Sequence, residues 1–268
     1  MYGIDVYEGI GRVDWAAVKK SGKTFAFIRA TEGVTIKDTA FAQHWPILRM
    51  DGLIRGAYHL FHPQTSSPTK QAQEYLKTIG KLLPGDFPPV LDVEVTDGAS
   101  AATIIRGMKE WLAVVEKALL AQTGKKLKPI IYTYPNFWIE TLNNPSDFAN
   151  YPLWIANFGV ITPLVPSGFG KGNWIIHQYE ENVENVPGVP SVADLNRFNL
   201  IQSGAKGLRV TDIQQGLKNL KKPEFDPGVV DGTFGTRTKA AVVAFQKSKK
   251  LQADGVVGPK TWVSLLWA

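Results

Sequence analysis

The chain has 268 residues, of which 44% are hydrophobic, carries a net charge of +6 and contains no cysteine. Its length supports one large domain plus a small one, and the lack of cysteine excludes disulfides, thiolate nucleophiles and cysteine-based zinc sites. The four histidines form no HExxH pair, and no apolar run approaches the roughly 18 residues of a membrane span. We therefore expect no metal, no cofactor and no membrane insertion.

Short apolar runs alternate with amphipathic stretches over the first 200 residues. Several runs, such as FAFIRA and PIIYTY, are of the fully buried type found in parallel sheets. The candidate strands are Tyr2–Val6, Thr24–Ala30, Ile54–Phe61, Pro89–Val95, Pro129–Tyr134, Pro152–Asn157, Trp174–Tyr179 and Leu195–Asn199.

Helical periodicity between the early strands predicts helices over Ser67–Leu83 and Ala101–Gln122. Strand–helix alternation favours a parallel sheet with right-handed crossovers, and eight strands favour closure into a barrel. After Pro152 the connections are loops rich in proline and glycine. We therefore predict an α/β fold, an irregular TIM-like (β/α)5β3 barrel in which some of the last strands run antiparallel. An open doubly wound sheet is the alternative.

A short linker, SGAKG at residues 203–207, separates the barrel, residues 1–202, from a small domain at residues 208–268. This domain begins with a predicted helix over Thr211–Leu220. An internal repeat follows, DGTFGTRTKAAV from Asp231 and DGVVGPKTWVSL from Asp254, and each copy leads into a helix. We predict an all-α unit of three helices, small enough to be marginally stable alone.

The excess of positive charge lies entirely in this small domain. Residues 204–268 contain 11 basic and 5 acidic residues, whereas basic and acidic residues cancel before that point. Such a module favours polyanions, including nucleic acid, anionic lipid or anionic wall polymers, although solubility alone also explains the charge. The turn-rich repeat gives little support for a helix that reads a nucleic-acid groove, so we expect no nucleic-acid partner.

The segment PVLDVEV places two acids on one strand. Asp92 and Glu94 share a face because strand residues two apart point the same way, and they lie near the strand's C-terminal end, where barrel enzymes place catalytic groups. Catalysis by this pair is one interpretation, and a structural ion pair with an arginine is the other. Asp5 ends the first strand and Asp194 begins DLNRF. If the last strand runs antiparallel, all four acids meet at one mouth, as in glycosidases.

Aromatic side chains follow the same strand ends and offer faces for stacking on sugar rings, although a barrel core also uses aromatic residues. The cluster comprises Tyr58, Phe61, Tyr132, Tyr134, Trp154, Phe158 and Tyr179.

Several motifs together resemble glycoside hydrolase family 25, the muramidases common among phage endolysins. They are GIDVYEG, VDW, ATEG, GAYHLF, LDVE, YT, LWIANF, HQY and DLNRF, in family order. The doubled DGxxGxxT segment resembles the peptidoglycan-binding domain of wall hydrolases, although the usual leading Gly-rich segment is absent. The resemblance implies a lysozyme that hydrolyses the β-1,4 bond from N-acetylmuramic acid to N-acetylglucosamine, with a tail that binds bacterial peptidoglycan.

The resemblance also implies roles for individual residues. Glu94 is the general acid, Asp92 supports the charge that develops at the anomeric carbon, and Asp5 and Asp194 complete the carboxylate ring. The residues expected to bind substrate are Tyr58, Phe61, Tyr132, Trp154, Gln178 and Tyr179. About 6–7 Å of strand separates the backbones of Asp92 and Glu94. This spacing lies near the divide between retaining and inverting pairs, so the stereochemical course stays open.

Two other functions fit parts of the sequence. A barrel with no catalytic activity would act only as a wall-binding protein, but all four carboxylates are present. A peptidase or amidase would need a metal cluster, a cysteine–histidine pair or a serine triad, and neither cysteine nor a G-x-S-x-G elbow occurs.

The first residues, MYGIDVYEGIGRVDW, lack a basic n-region and an apolar h-region, so we expect no signal peptide. The resemblance then implies a monomeric phage or prophage lysin, made in the cytoplasm of a bacterial host and acting on the wall after release.

Overall fold

The computed structural model describes all 268 residues, and its sheet contains nine strands. The strand segments are rich in β-branched and aromatic residues and alternate between an inward and an outward face. The strands are β1 Tyr2–Val6, β2 Lys23–Glu32, β3 Ile36–Lys37, β4 Ile54–Leu60, β5 Val90–Asp92, β6 Ile130–Thr133, β7 Leu153–Ala156, β8 Ile176–Glu184 and β9 Val192–Phe198.

Seven α-helices accompany these strands. The helices are α1 Trp15–Lys20, α2 Phe41–Met50, α3 Pro68–Ile79, α4 Ala101–Thr123, α5 Leu208–Asn219, α6 Thr236–Ser248 and α7 Pro259–Leu266. Local chemistry explains the bounds of α4. The Ser100 side chain accepts a hydrogen bond from the Thr103 N–H at its start, and Gly124 takes the left-handed conformation at its end.

Eight of the strands close into a barrel in the order β1-β9-β8-β7-β6-β5-β4-β2, because β1 pairs with both β2 and β9. The two-residue strand β3 only extends β2 as a hairpin. This closure confirms the barrel and excludes the open sheet. Helices α1 to α4 connect the first five barrel strands, and the π-helical segment Phe137–Thr141 follows the fifth. Strand β9 runs antiparallel to both β1 and β8, whereas β8 runs parallel to β7.

Alternation along the strands divides the core into two layers. Outward side chains pack under the helices, as Leu91 and Val93 do. Inward side chains fill the barrel, where Phe27 contacts Phe87 and Trp154 at ring-centroid distances of 4.9 and 4.5 Å. Aromatic packing therefore fills the barrel toward the amino ends of the parallel strands. Polar side chains line its mouth at their carboxyl ends.

In each repeat of the small domain, a buried glutamine forms hydrogen bonds to the DGxxG turn. The Gln214 side chain accepts from the Gly232 N–H and donates to Asp231 and the Thr233 carbonyl. Gln246 makes the same bonds to Gly255, Asp254 and the Val256 carbonyl. Gly232 and Gly255 have φ of +70° and +75°, a conformation that favours glycine in such turns. The repeated sequence therefore encodes a repeated turn that is fixed from the preceding helix.

The small domain docks on the end of the barrel opposite the carboxyl ends of the parallel strands. Because β9 is antiparallel, the chain leaves the barrel at that end. Trp262 of α7 lies 6.0 Å from Phe87 and 6.1 Å from Phe198, between ring centroids. Trp267 donates its indole N–H to the Asp86 carbonyl at 2.9 Å. None of the seven helices combines the length and the apolar composition that a membrane span requires.

Candidate active site

Four carboxylates line one cavity of about 210 Å³ at the carboxyl ends of the parallel strands. Asp5 comes from β1, Asp92 and Glu94 from β5 and the residues after it, and Asp194 from β9. Alternation on β5 turns Asp92 and Glu94 inward while Val93 enters the outer core. The structure thus brings together the four acids that the sequence analysis selected.

Asp5 and Asp194 are direct partners in the antiparallel pairing of β1 and β9. A network of side-chain amides links them. The Gln178 amide donates to Asp5 Oδ1 at 2.9 Å and to Asp194 Oδ2 at 3.2 Å, and the Asn196 amide donates to Asp5 Oδ1 at 2.6 Å. The Asn182 N–H donates to the second oxygen of Asp194 at 2.8 Å. These donors fix the orientation of both carboxylates.

Asp92 is only 5% exposed, and its Oδ1 atom has no hydrogen-bond partner. Burial, and secondly the negative charge of Glu94, raise the pKa of Asp92 well above its ordinary value. Arg29 lines the same cavity but forms its ion pairs with Glu32 at 2.8 Å and Asp38 at 3.7 Å. Asp92 is therefore not held in a structural ion pair with an arginine.

Glu94 is half-buried at the point where this cavity meets a second cavity of about 530 Å³. Burial raises the pKa of Glu94, and the charges of Asp194 and Glu181 raise it further. Burial and the charge of Asp194 also raise the pKa of Asp5 well above its usual range, against the lowering effect of the Asn196 and Gln178 amides. A protonated carboxyl group beside ionised ones at working pH is what acid catalysis of glycoside cleavage requires.

Four of the six predicted substrate-binding residues line the carboxylate cavity. They are Tyr58, Tyr132, Trp154 and Gln178. Tyr132 donates its hydroxyl hydrogen to Gln178 Oε1 at 2.9 Å, and Trp154 donates its indole N–H to Asn196 Oδ1 at 2.8 Å. The aromatic wall is therefore bonded to the amides that hold Asp5, so its rings have fixed positions.

Phe61 and Tyr179 were also predicted to bind substrate, but the structure places neither side chain at the two cavities. Phe61 is fully buried and points out of the barrel, where its ring would lie 2.8 Å from a Cβ added at Gly107 of α4. The Tyr179 side chain also points out of the barrel, because it follows the inward-pointing Gln178 on β8. It packs against Tyr2 at 6.1 Å and lies under the Arg197 guanidinium at 5.6 Å, on the outside of the barrel.

Two polar residues in or beside the cavity were missed by the sequence analysis. The Arg29 side chain points into the barrel like those of Phe25 and Phe27, because residues two apart on β2 share a face. Asn196 shares the face of Asp194 on β9. The second cavity is flanked by Tyr134 and Phe158, which were noted as aromatic residues but not selected. No group of three or more histidine, aspartate or glutamate side chains is arranged to hold a metal ion.

Comparisons with known proteins identify both regions of the chain. Residues 4–189 match the model of glycosyl hydrolases family 25, and residues 206–265 match that of a putative peptidoglycan binding domain. The first match ends before Asp194, whose place in the site rests on the pairing of β9 with β1.

The autolytic lysozyme of Clostridium acetobutylicum is 33% identical over 271 residues, covering 97% of this chain and 77% of the relative. The lysozyme structure from Streptomyces coelicolor is 33% identical with a TM-score of 0.67, covering 74% of this chain and 92% of that one. The structure of the CTP1L endolysin is 26% identical with a TM-score of 0.60, covering 74% of this chain and 66% of that one. The chain belongs to glycosyl hydrolase family 25 and carries a peptidoglycan-binding domain after its barrel.

Proposed function

We propose that this protein is a lysozyme that hydrolyses the β-1,4 bond between N-acetylmuramic acid and N-acetylglucosamine, while its small domain holds it on bacterial peptidoglycan. The observation that carries this proposal is the meeting of four carboxylates in one open cavity walled by Tyr58, Tyr132 and Trp154. Acidic groups cut the glycosidic bond and aromatic faces hold the sugar. The names of the relatives, lysozymes and an endolysin, support the same activity.

Glu94 is the proposed proton donor to the glycosidic oxygen. Glu94 and Asp194 are both half-buried and both line the two cavities, so a glycan spanning the cavities would cross them. Asp194 accepts hydrogen bonds from Gln178 and the Asn182 N–H, whereas Glu94 is the acid whose carboxyl group is left for the substrate. Because burial and neighbouring charges raise its pKa, it holds its proton at a pH where an exposed glutamate has lost it. The proton moves to the oxygen as the bond to the anomeric carbon breaks.

Asp92 acts beside the anomeric carbon in this proposal. Its unpartnered Oδ1 atom is available to accept a hydrogen bond from the 2-acetamido N–H of the muramic acid. The acetamido oxygen then attacks the anomeric carbon and forms an oxazolinium ring. Water opens this ring and returns a proton to the Glu94 carboxylate, so the anomeric configuration is retained. An oxazoline-type mimic should inhibit the enzyme, and an inverted product anomer by NMR would argue against this course.

The test of the activity is Glu94→Gln, with Glu140→Gln as the matched control on the short π-helical segment. We expect Glu94→Gln to abolish the release of reducing ends from purified peptidoglycan while thermal unfolding stays unchanged. The control should keep full activity. Mass spectrometry should find muramic acid at the new reducing ends. Full activity of Glu94→Gln, or release of free peptides instead, would overturn the assignment.

We also propose that the protein acts as a lysin that reaches the wall after release from the cytoplasm of its host, and that it works as a monomer. The likeness to an endolysin supports this biological role. Expression inside a bacterial host should leave the cells intact until the membrane is permeabilised, after which turbidity should fall. Lysis without permeabilisation would contradict the proposal, as would a dimer in analytical ultracentrifugation.

A further inference from the structure

A separate cleft of about 540 Å³ lies between the barrel and the small domain, away from the four carboxylates. The barrel contributes the segment after α4, including Lys125, Lys126 and Lys128, and the small domain contributes α5 and α7. Four cationic side chains and one acidic side chain, Asp212, line it. The cleft exists only because the two domains dock, so neither domain alone would form it.

Arg209 of α5 is the buried cation of this cleft. Its side chain is 7% exposed, its Nη1 atom lies 2.8 Å from Asp212 Oδ2, and its Nε atom donates to Asn173 Oδ1. The Nη2 atom is buried without any hydrogen-bond partner. An unpaired buried donor of a charged group is costly, and an acceptor brought by a ligand would remove that cost. Arg209 lines the cleft with one donor unused, so an anionic group that reached this donor would gain a charge-assisted hydrogen bond.

The other lining residues narrow the chemistry of the ligand. Lys126 is exposed and forms no hydrogen bond or ion pair, so its charge is free, whereas Lys125 donates to the α-carboxylate of Ala268, which also lines the cleft. Leu220, Leu265 and Leu266 give the cleft aliphatic walls, and Trp262 is only 5% exposed. Neutral sugars stack on open aromatic faces, which this cleft lacks. Guanidinium and ammonium groups beside aliphatic walls suit a carboxylate on a short aliphatic peptide.

We propose that this interdomain cleft binds the carboxylate end of a wall stem peptide, with Arg209 and Lys126 on the carboxylate and the leucines on its small aliphatic side chains. This deepens the proposed function, on which it rests, by assigning the peptide of the wall to the domain junction and the glycan to the barrel mouth. The protein would then bind the glycan and the peptide of the wall at opposite ends of the barrel.

The test is calorimetric titration of the full chain with a synthetic stem pentapeptide that has a free C-terminal carboxylate. Arg209→Lys keeps the charge but loses the planar donors, and Lys126→Glu reverses a charge without breaking a contact. We expect each to weaken binding by at least about fivefold, because charge-assisted hydrogen bonds are lost. The matched control is Lys117→Glu, an equal charge reversal on the exposed face of α4 outside the cleft, which should bind like the parent.

Three results would overturn the proposal. They are unchanged peptide affinity in Lys126→Glu and Arg209→Lys, equal affinity for the amidated peptide, and binding of peptide-free glycan or polyphosphate but not peptide. Thermal unfolding checks that Arg209→Lys is folded, and Lys126→Glu carries the test if it is not. Glu94→Gln should bind the peptide normally. Failure of catalysis and failure of this cleft are therefore separate observations.

Discussion

Asp5 and Asp194 occupy the same register position of the antiparallel pair β1 and β9, although 188 residues separate them along the chain. In a barrel of parallel strands alone, a residue near the start of a strand lies at the end opposite the active mouth. The reversal of β9 brings Asp194 to the mouth and sends the chain out at the opposite end. One reversed strand therefore completes the carboxylate ring and also determines where the small domain docks.

Gln178 joins these two acids, so its replacement should alter catalysis through them. In Gln178→Leu one of the two amides that lower the pKa of Asp5 is lost while Asn196 remains, and the pKa of Asp5 should rise further. Asp5 then ionises only at higher pH, and the acidic limb of the kcat/KM profile should move to higher pH. We also expect kcat/KM at the optimum to fall by about 10- to 100-fold, since the Tyr132 hydroxyl loses its acceptor as well.

Gln71→Leu is the control for this variant. Gln71 is a fully buried glutamine on the inner face of α3 that accepts from the His62 N–H and contacts His59 Nε2 at 3.0 Å. Its loss should lower stability and leave the shape of the pH profile unchanged. If both glutamine variants merely lose stability, Gln178 has no role in positioning the acids.

Replacing Glu181 should change the pKa of Glu94 without replacing a residue that lines the carboxylate cavity. After burial and Asp194, its charge raises the pKa of Glu94. In Glu181→Gln that pKa should fall, so the proton donor is lost at lower pH and the alkaline limb of kcat moves to lower pH. Activity on the acidic side should be nearly unchanged. Glu184→Gln, on the same strand and also exposed, should leave the limb in place. A shift in the opposite direction would exclude Glu94 as the acid.

Asp92 should lower the stability of the folded protein at neutral pH. Burial, and then the charge of Glu94, raise the pKa of Asp92, so the folded state binds its proton more tightly than the unfolded chain. Proton binding by Asp92 therefore stabilises the folded state fully below the unfolded-state pKa of about 3.9, relative to high pH. This stabilisation is lost as pH rises through the folded-state pKa, and the buried carboxylate is then destabilising. Asp92→Asn should raise the free energy of unfolding by about 1–3 kcal/mol at pH 7, with a gain close to zero near pH 3.

Urea unfolding at the two pH values measures this difference, and Asp86→Asn supplies a contrast of opposite sign. Asp86 is also buried, but it accepts from Arg55 Nε and Nη2, both at 2.9 Å. Breaking that pair leaves the guanidinium uncompensated and should cost about 3–5 kcal/mol. A loss of stability in Asp92→Asn at pH 7 would show that the unpartnered carboxylate carries no such cost.

Residues of one sequence motif can point to opposite sides of the barrel wall. Within GAYHLF, Tyr58 points into the barrel and Phe61 points out, as the period of two along β4 requires. The same alternation separates Gln178 from Tyr179. It would also have placed Arg29 inside the barrel, but sequence alone does not mark the level at which an apolar interior becomes a polar mouth.

The docking of the two domains could not be predicted from periodicity. Phe87 lies in a loop before β5, and its contact with Trp262 depends on the three-dimensional path of β9. The repeat in the small domain predicted the turns but gave no sign of Gln214 and Gln246, since a buried glutamine in an amphipathic helix looks like a surface residue. The closed barrel, by contrast, followed from the number and spacing of apolar runs.

Trp262 joins the cores of the two domains, so Trp262→Ala should uncouple their unfolding. The indole contacts Phe87 and Phe198 of the barrel, and removing it should cost about 3–5 kcal/mol. We expect the parent to show one calorimetric transition and the variant to show two, with faster proteolysis between residues 203 and 207. Phe225→Ala is the control, because Phe225 packs on Phe245 within the small domain. It should lower stability but keep a single transition. A single transition in Trp262→Ala would mean that contacts such as Trp267 with Asp86 suffice to couple the domains.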